Sequence, residues 1–191
     1  LSVPLVALVF GENAGEVAKQ AGQYGANKAI VCDDATLKEF RLEPYAALLT
    51  KLVNEQTPKV VLAVSNNRAR ELLSASAADT DSGLLSEVVE LQLDGDTVKV
   101  VRPVYAGKLL GEAASIPGGT TFITIRGRAF KPNAVNVGGS IEVTATAPVL
   151  SEDQIVSKVE AFEEEAGTVN LTDAAIIVSG GRGMANNPKD A

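Results

Sequence analysis

The order of the apolar segments constrains this chain most, because strand-like runs and helix-like stripes alternate from Val3 to Ala77. Val3–Phe10 is almost continuously apolar, the pattern of a strand covered on both faces. Gly11-Glu12-Asn13 turns the chain, and Ala14, Val17, Ala18, Ala21 and Tyr24 then recur at helical spacing. Gly25 supplies a helix stop. Lys28–Cys32 reads as a second strand and Val60–Val64 as a third. Between them Pro44 suits the first turn of a helix whose stripe is Tyr45, Leu48, Leu49, Leu52 and Val53. Asn66 or Asn67 caps another helix, carrying Ala69, Leu72, Leu73 and Ala77. Strands that alternate with helices demand a parallel sheet joined by crossovers.

The second half changes period. Glu87–Leu93, Asp94-Gly95-Asp96 and Thr97–Val101 predict a β-hairpin. Gly111–Ile116, Thr121–Arg126 and Ile141–Ala147 are further strands, with mixed antiparallel pairing expected. The expected fold class is therefore α/β: a three-layer α/β/α arrangement with a mostly parallel sheet and some antiparallel strands. Pro148 breaks the chain, and Ser151, Glu152 and Asp153 open an acidic helix running to about Glu165. Its best apolar anchors are Ile155, Val159 and Phe162, so it reads as a connecting arm. Ala174–Ser179 is a fresh buried strand that ends in Gly180-Gly181-Arg182-Gly183. A lone strand does not make a domain, and a chain that opens on Leu1 and stops at Ala191 is expected to be cut at both ends.

Composition narrows the function. The net charge of −7 argues against a nucleic-acid surface. No apolar run approaches the roughly 20 residues of a membrane span, so no membrane insertion is expected. Leu1–Phe10 lacks a basic flank and a small-residue cleavage site, and so does not read as a convincing signal peptide. There is no histidine, which removes imidazole bases, Ser-His-Asp triads and histidine metal sites. Aromatics are 4% with no Trp, so the core must be built from Val, Leu, Ile and Ala.

Few residues invite chemistry. Cys32, the single cysteine, reads as a small buried hydrophobe at a strand end. Asp79 and Asp81 are either paired carboxylates or residues of a solvated turn, and their loop setting favours the turn. Glu163, Glu164 and Glu165 read as a solvated face. Arg126, Arg128 and Lys131 are the compact basic group, either a solvated strand end or a meeting point for an acidic partner. Val101–Lys108, VRPVYAGK, holds nothing reactive and reads as a turn shaped by Pro103 and Gly107. Ser179–Gly183, SGGRG, is neither GxGxxG nor a phosphate loop. It is either a tight turn or a place where backbone N–H groups meet a cofactor at the carboxyl edge of a sheet.

Four stretches in this order carry a resemblance: NNRARELLSASAADTDSGLLSEVVEL from Asn66, VRPVYAGK from Val101, TTFITIRGRAF from Thr120 and IIVSGGRG from Ile176. Together they resemble the electron-transfer flavoprotein α-subunit family over essentially the whole chain. The resemblance implies a Rossmann-like, adenine-nucleotide-hydrolase-like N-terminal domain over residues 1–148, lacking its first strand–helix unit. A gap or an unpaired edge in the sheet should follow. A connecting arm over 149–170 and the first strand and loop of an FAD-binding domain over 171–191 complete the expected plan.

The implied function is that of a non-catalytic electron carrier. With a β-subunit it would hold FAD, take electrons from flavin dehydrogenases of the acyl-CoA dehydrogenase type in fatty-acid β-oxidation, and pass them to a quinone reductase. Bacterial cytoplasm or the mitochondrial matrix is the implied location. The resemblance carries FAD contact over to Ser179, Gly180, Gly181, Arg182 and Gly183, but this piece alone is expected to hold no flavin. The rival readings are a small-nucleotide-binding sensor or assembly module and a nucleotide-dependent transferase.

Overall fold

The computed structural model describes residues 4–132, 141–161, 163, 171 and 174–181. The chain divides into two compact units, Leu1–Lys158 and Val159–Ala191. The first unit holds the regular structure. In chain order it runs β1 Val6–Gly11, α1 Gly15–Ala21, β2 Lys28–Asp33, α2 Leu42–Gln56, β3 Val60–Val64, α3 Asn67–Asp79 and β4 Gly83–Val88. There follow β5 Glu90–Asp94, β6 Thr97–Val104, β7 Leu109–Ala114, β8 Thr121–Ile125 and β9 Glu142–Ala145.

The α/β class is confirmed, with the strands divided among three sheets. Two are parallel, in the orders β1-β2-β9 and β3-β8-β4, and one is antiparallel, β5-β6-β7. Side-chain alternation on β2 shows how the first parallel sheet is covered. Ala29 and Val31 pack with Ala14 and Ala18 of the α1 region, and Ile30 and Cys32 pack with Leu48 and Leu52 of α2. The stripe on α2 is wide enough to serve both parallel sheets. Its Leu49 and Val53 join Leu73 and Ala77 of α3 over Phe122 of β8. Phe10 of β1 packs against both clusters, so the two sheets share apolar contacts although no ladder joins them.

The second parallel sheet is layered differently from the expectation of helices on both faces. Val98 and Val100 of β6 pack with Val88 of β4 and Ile123 of β8, so the antiparallel sheet is itself the covering layer there. Among the described residues, β1 pairs with β2 alone and β3 with β8 alone. Leu8, Leu62 and Val64 on these open-edged strands are exposed. A strand of a parallel sheet is ordinarily covered on both faces and paired on both edges.

Three expectations are corrected. No helix forms over described residues 151–161, because Ile155 is the one anchor buried there. Val156 and Val159 are exposed, and Phe162, Glu164 and Glu165 lie outside the described residues. One anchor gives no face to bury, so the segment closes a single turn, with the Gln154 N–H donating to the Ser151 carbonyl at 3.0 Å. The stretch over residues 174–179 carries no strand, and Ile176 is 85% and Val178 95% exposed. An extended segment with no ladder to join has nothing to bury its side chains against. Lastly, Val17 and Tyr24 face solvent although they keep helical spacing, because α1 packs through its alanines.

Candidate functional site

In open α/β sheets, ligands gather beyond the carboxyl ends of the strands. Two polar clusters occupy those ends here. After β1 and β2, the Asn13 N–H donates to Asp33 Oδ1 at 2.8 Å, and the Asp34 N–H to the Gly11 carbonyl at 3.0 Å. Asp34 Oδ1 also accepts from the Thr36 amide at 2.9 Å and its hydroxyl at 2.7 Å. The Thr36 hydroxyl bond, followed by the amide bond, holds this carboxyl below its ordinary range. Cys32, two residues before Asp34, is buried, and burial pushes its thiol up, away from the reactive thiolate.

The second cluster gathers at the carboxyl ends of β3, β8 and β4, and it centres on Glu87. Register slips between Leu85 and Val88, and Glu87 takes the left-handed region at φ 59°. Its amide donates to the buried Thr124 hydroxyl at 3.0 Å. Its carboxylate accepts from the Ser65 hydroxyl and lies 3.7 Å from the Arg70 guanidinium. Asn66 caps α3 by accepting from the Ala69 amide at 2.8 Å. Sequence reading takes Glu87 as the first residue of a hairpin strand and so misses its place at a bulge. Its polar groups are mutually paired, so the cluster braces the strand ends and offers no free nucleophile or base.

The VRPVYAGK stretch forms the tip of the β6–β7 hairpin. Tyr105 and Ala106 are left-handed at φ 51° and 56°, followed by Gly107 at 83°. The Gly107 amide donates to the Val104 carbonyl at 3.1 Å and that of Lys108 to Tyr105 at 3.2 Å. The expected turn is there, held at a cost of about 1 kcal/mol or more for each non-glycine left-handed residue. Its neighbourhood is apolar and uncovered: Tyr105 is 77% exposed, and Leu109 and Leu110 are exposed beside it. Arg102, from the same stretch, ties β6 to β4 by donating to the Ser86 hydroxyl at 2.9 Å.

The other sequence candidates are scattered. Asp79 accepts from the Thr50 hydroxyl at 3.4 Å, and Asp81 sits at φ 48°. Asp79 ends α3 and leans toward α2, and Asp81 lies in the turn that follows, so the structure gives the two separate settings. Arg126, Arg128 and Lys131 are exposed just beyond β8, and Glu163 is exposed in the second unit. In that second unit, Ser179, Gly180 and Gly181 are exposed, and Arg182 and Gly183 lie outside the described residues. A Cβ built on Gly181 would meet no atom within 4 Å, so the described part of this loop is open. Among the described residues no group of His, Cys, Asp and Glu is arranged to hold a metal ion. No helix there is long and apolar enough to cross a membrane.

Fold and polar rim together define an open α/β protein whose strand ends are braced by paired polar groups and whose hairpin tip exposes apolar side chains. Residues 1–151 match the electron transfer flavoprotein domain, and the chain belongs to that family. Among its relatives is the electron transfer flavoprotein subunit alpha of Bacillus subtilis, 26% identical over 94% of this chain and 55% of the relative. Protein FixB of Bradyrhizobium diazoefficiens is 30% identical over 97% of this chain and 52% of its own length. The acryloyl-CoA reductase electron transfer subunit beta of Anaerotignum propionicum is 29% identical over 96% and 57%. The chain thus spans little more than half the length of these curated relatives.

Proposed function

We propose that this chain is part of the α-type subunit of a heterodimeric, FAD-containing electron-transfer flavoprotein, acting as a carrier and not as a catalyst. The observation that supports this reading is the match of residues 1–151 to the flavoprotein domain, together with relatives named as electron-transfer subunits. In the whole protein FAD supplies the redox chemistry, and Ser179, Gly180, Gly181, Arg182 and Gly183 contribute to holding it. Glycines without side chains let a ligand approach the backbone, and arginine offers a permanent charge with a planar fork of donors.

A β-subunit is the permanent partner, and the exposed Tyr105, Leu109 and Leu110 supply apolar area of the kind such an interface buries. The reading also places a further strand–helix unit against the open edges of β1 and β3. Flavin dehydrogenases of the acyl-CoA dehydrogenase type donate the electrons, and a quinone reductase accepts them. The Anaerotignum relative, named for an acryloyl-CoA reductase, favours acyl-CoA chemistry in the partner enzyme.

Co-expression of the whole protein with its β-subunit tests the reading. The expected result is a stable pair with an interface on the order of 2,000 Å² or more. A whole α-type chain that purifies alone in the presence of that subunit would count against it.

A further inference from the structure

Residues 151–158 follow the last strand, β9, and the first compact unit ends at Lys158. They have no regular structure beyond one turn, yet they are held to the start of α2 by a dense set of contacts. Arg41, immediately before α2, has a side chain only 9% exposed. Its two terminal nitrogens grip both oxygens of Glu152, Nη1 to Oε1 at 2.8 Å and Nη2 to Oε2 at 2.7 Å. The same two nitrogens reach the Ser157 carbonyl at 3.4 Å and the Thr36 carbonyl at 2.8 Å. Glu43, in the first turn of α2, accepts from the Ser157 amide at 3.1 Å and its hydroxyl at 2.7 Å. Lys158 turns back to the Glu152 carbonyl at 2.5 Å and carboxylate at 2.7 Å. Ile155, between these polar ties, is 1% exposed.

A two-pronged guanidinium–carboxylate pair fixes direction as well as distance. A buried apolar side chain adds a term that salt does not screen. Backbone without a helix or a ladder would otherwise stay mobile at so long a separation in sequence from its partners.

We propose that residues 151–158 are a strap fastened to the amino end of α2, with Arg41 as its positioning residue, so that the chain leaves the first unit from a fixed point at Lys158. This inference stands apart from the proposed function, since it rests on contacts inside one unit. It makes Arg41, Glu43, Glu152 and Ser157 one device for fixing the last residues of the first unit.

Amide hydrogen exchange on the intact chain tests it. Glu152→Ala and Glu43→Ala remove surface carboxylates and leave the apolar clusters untouched. Each is expected to speed exchange across 151–158 by about tenfold or more, with α2 and β8 unchanged, the scale set by losing a charge-assisted hydrogen bond. Arg41→Lys keeps the charge and loses the fork. It is expected to loosen the strap nearly as far as Arg41→Ala, where a plain charge role would let lysine restore protection. The proposal is overturned if 151–158 is already unprotected in the parent chain. It is equally overturned if neither carboxylate variant changes its exchange, or if α2 and β8 speed up in step with it.

Discussion

At the scale of residues, two arginines of this chain are put to contrasting uses. Arg41 is sunk among acceptors, paired oxygen for nitrogen with Glu152, and its work is geometric. Arg41 and then Lys158 hold the Glu152 carboxyl at about 2, well under its ordinary 4.5. Arg182 stands in a run of glycines in the sequence, and the proposed function assigns its fork of donors to a ligand. The proposed FAD contact makes a definite claim there. Arg182→Ala in the whole protein is expected to weaken FAD affinity about tenfold or more, or to shift the flavin potential, since charge-assisted bonds contribute roughly 1.5–3 kcal/mol. Equilibrium flavin release and a redox titration measure the two quantities. If neither moves, SGGRG is a plain turn.

At the scale of elements, local signals were legible and sheet membership was not. Gly25 ends its helical segment left-handed at φ 94°, and Asn66 caps α3 through its side chain, as short-range chemistry requires. The stripe Leu48, Leu49, Leu52 and Val53 is buried as its spacing demands. By contrast, the segment from Gly83 to Leu93 stays rich in strand-forming residues through a change of sheet. The chain leaves the parallel β4 at Val88 and enters the antiparallel β5 at Glu90. The polar pair Ser86-Glu87 marks the break, but periodicity reports which side chains share a face and not which strand lies alongside, so the change of partner was not legible. The strap was misread for a related reason, since its acidic start suits a helix cap and its true partner, Arg41, lies far back in the chain.

The end of α2 carries a cost that a single change should relieve. Thr57 caps the helix at φ 43°, ψ 54°, exposed, with its amide donating to the Val53 carbonyl at 2.9 Å. A β-branched residue is strained there, and glycine is not. Thr57→Gly is expected to stabilise the fold by about 0.5–1 kcal/mol, the left-handed strain released exceeding the chain entropy glycine adds. Urea unfolding measures it, and a lower midpoint would show that the cap is not strained.

At the scale of the whole molecule, the described residues hold a braced α/β unit and an exposed glycine loop in a separate unit, with no ready-made catalytic cluster between strand ends. The proposed function is that of a carrier in which a flavin receives electrons from one protein and gives them to another. The most direct measurement is anaerobic mixing of the purified heterodimer with a reduced flavin dehydrogenase of the acyl-CoA type. The account predicts a yellow heterodimer whose flavin absorbance bleaches on mixing and returns when a quinone reductase is added. A colourless protein that binds ATP instead, or a bound flavin that no dehydrogenase of this class reduces, would contradict it.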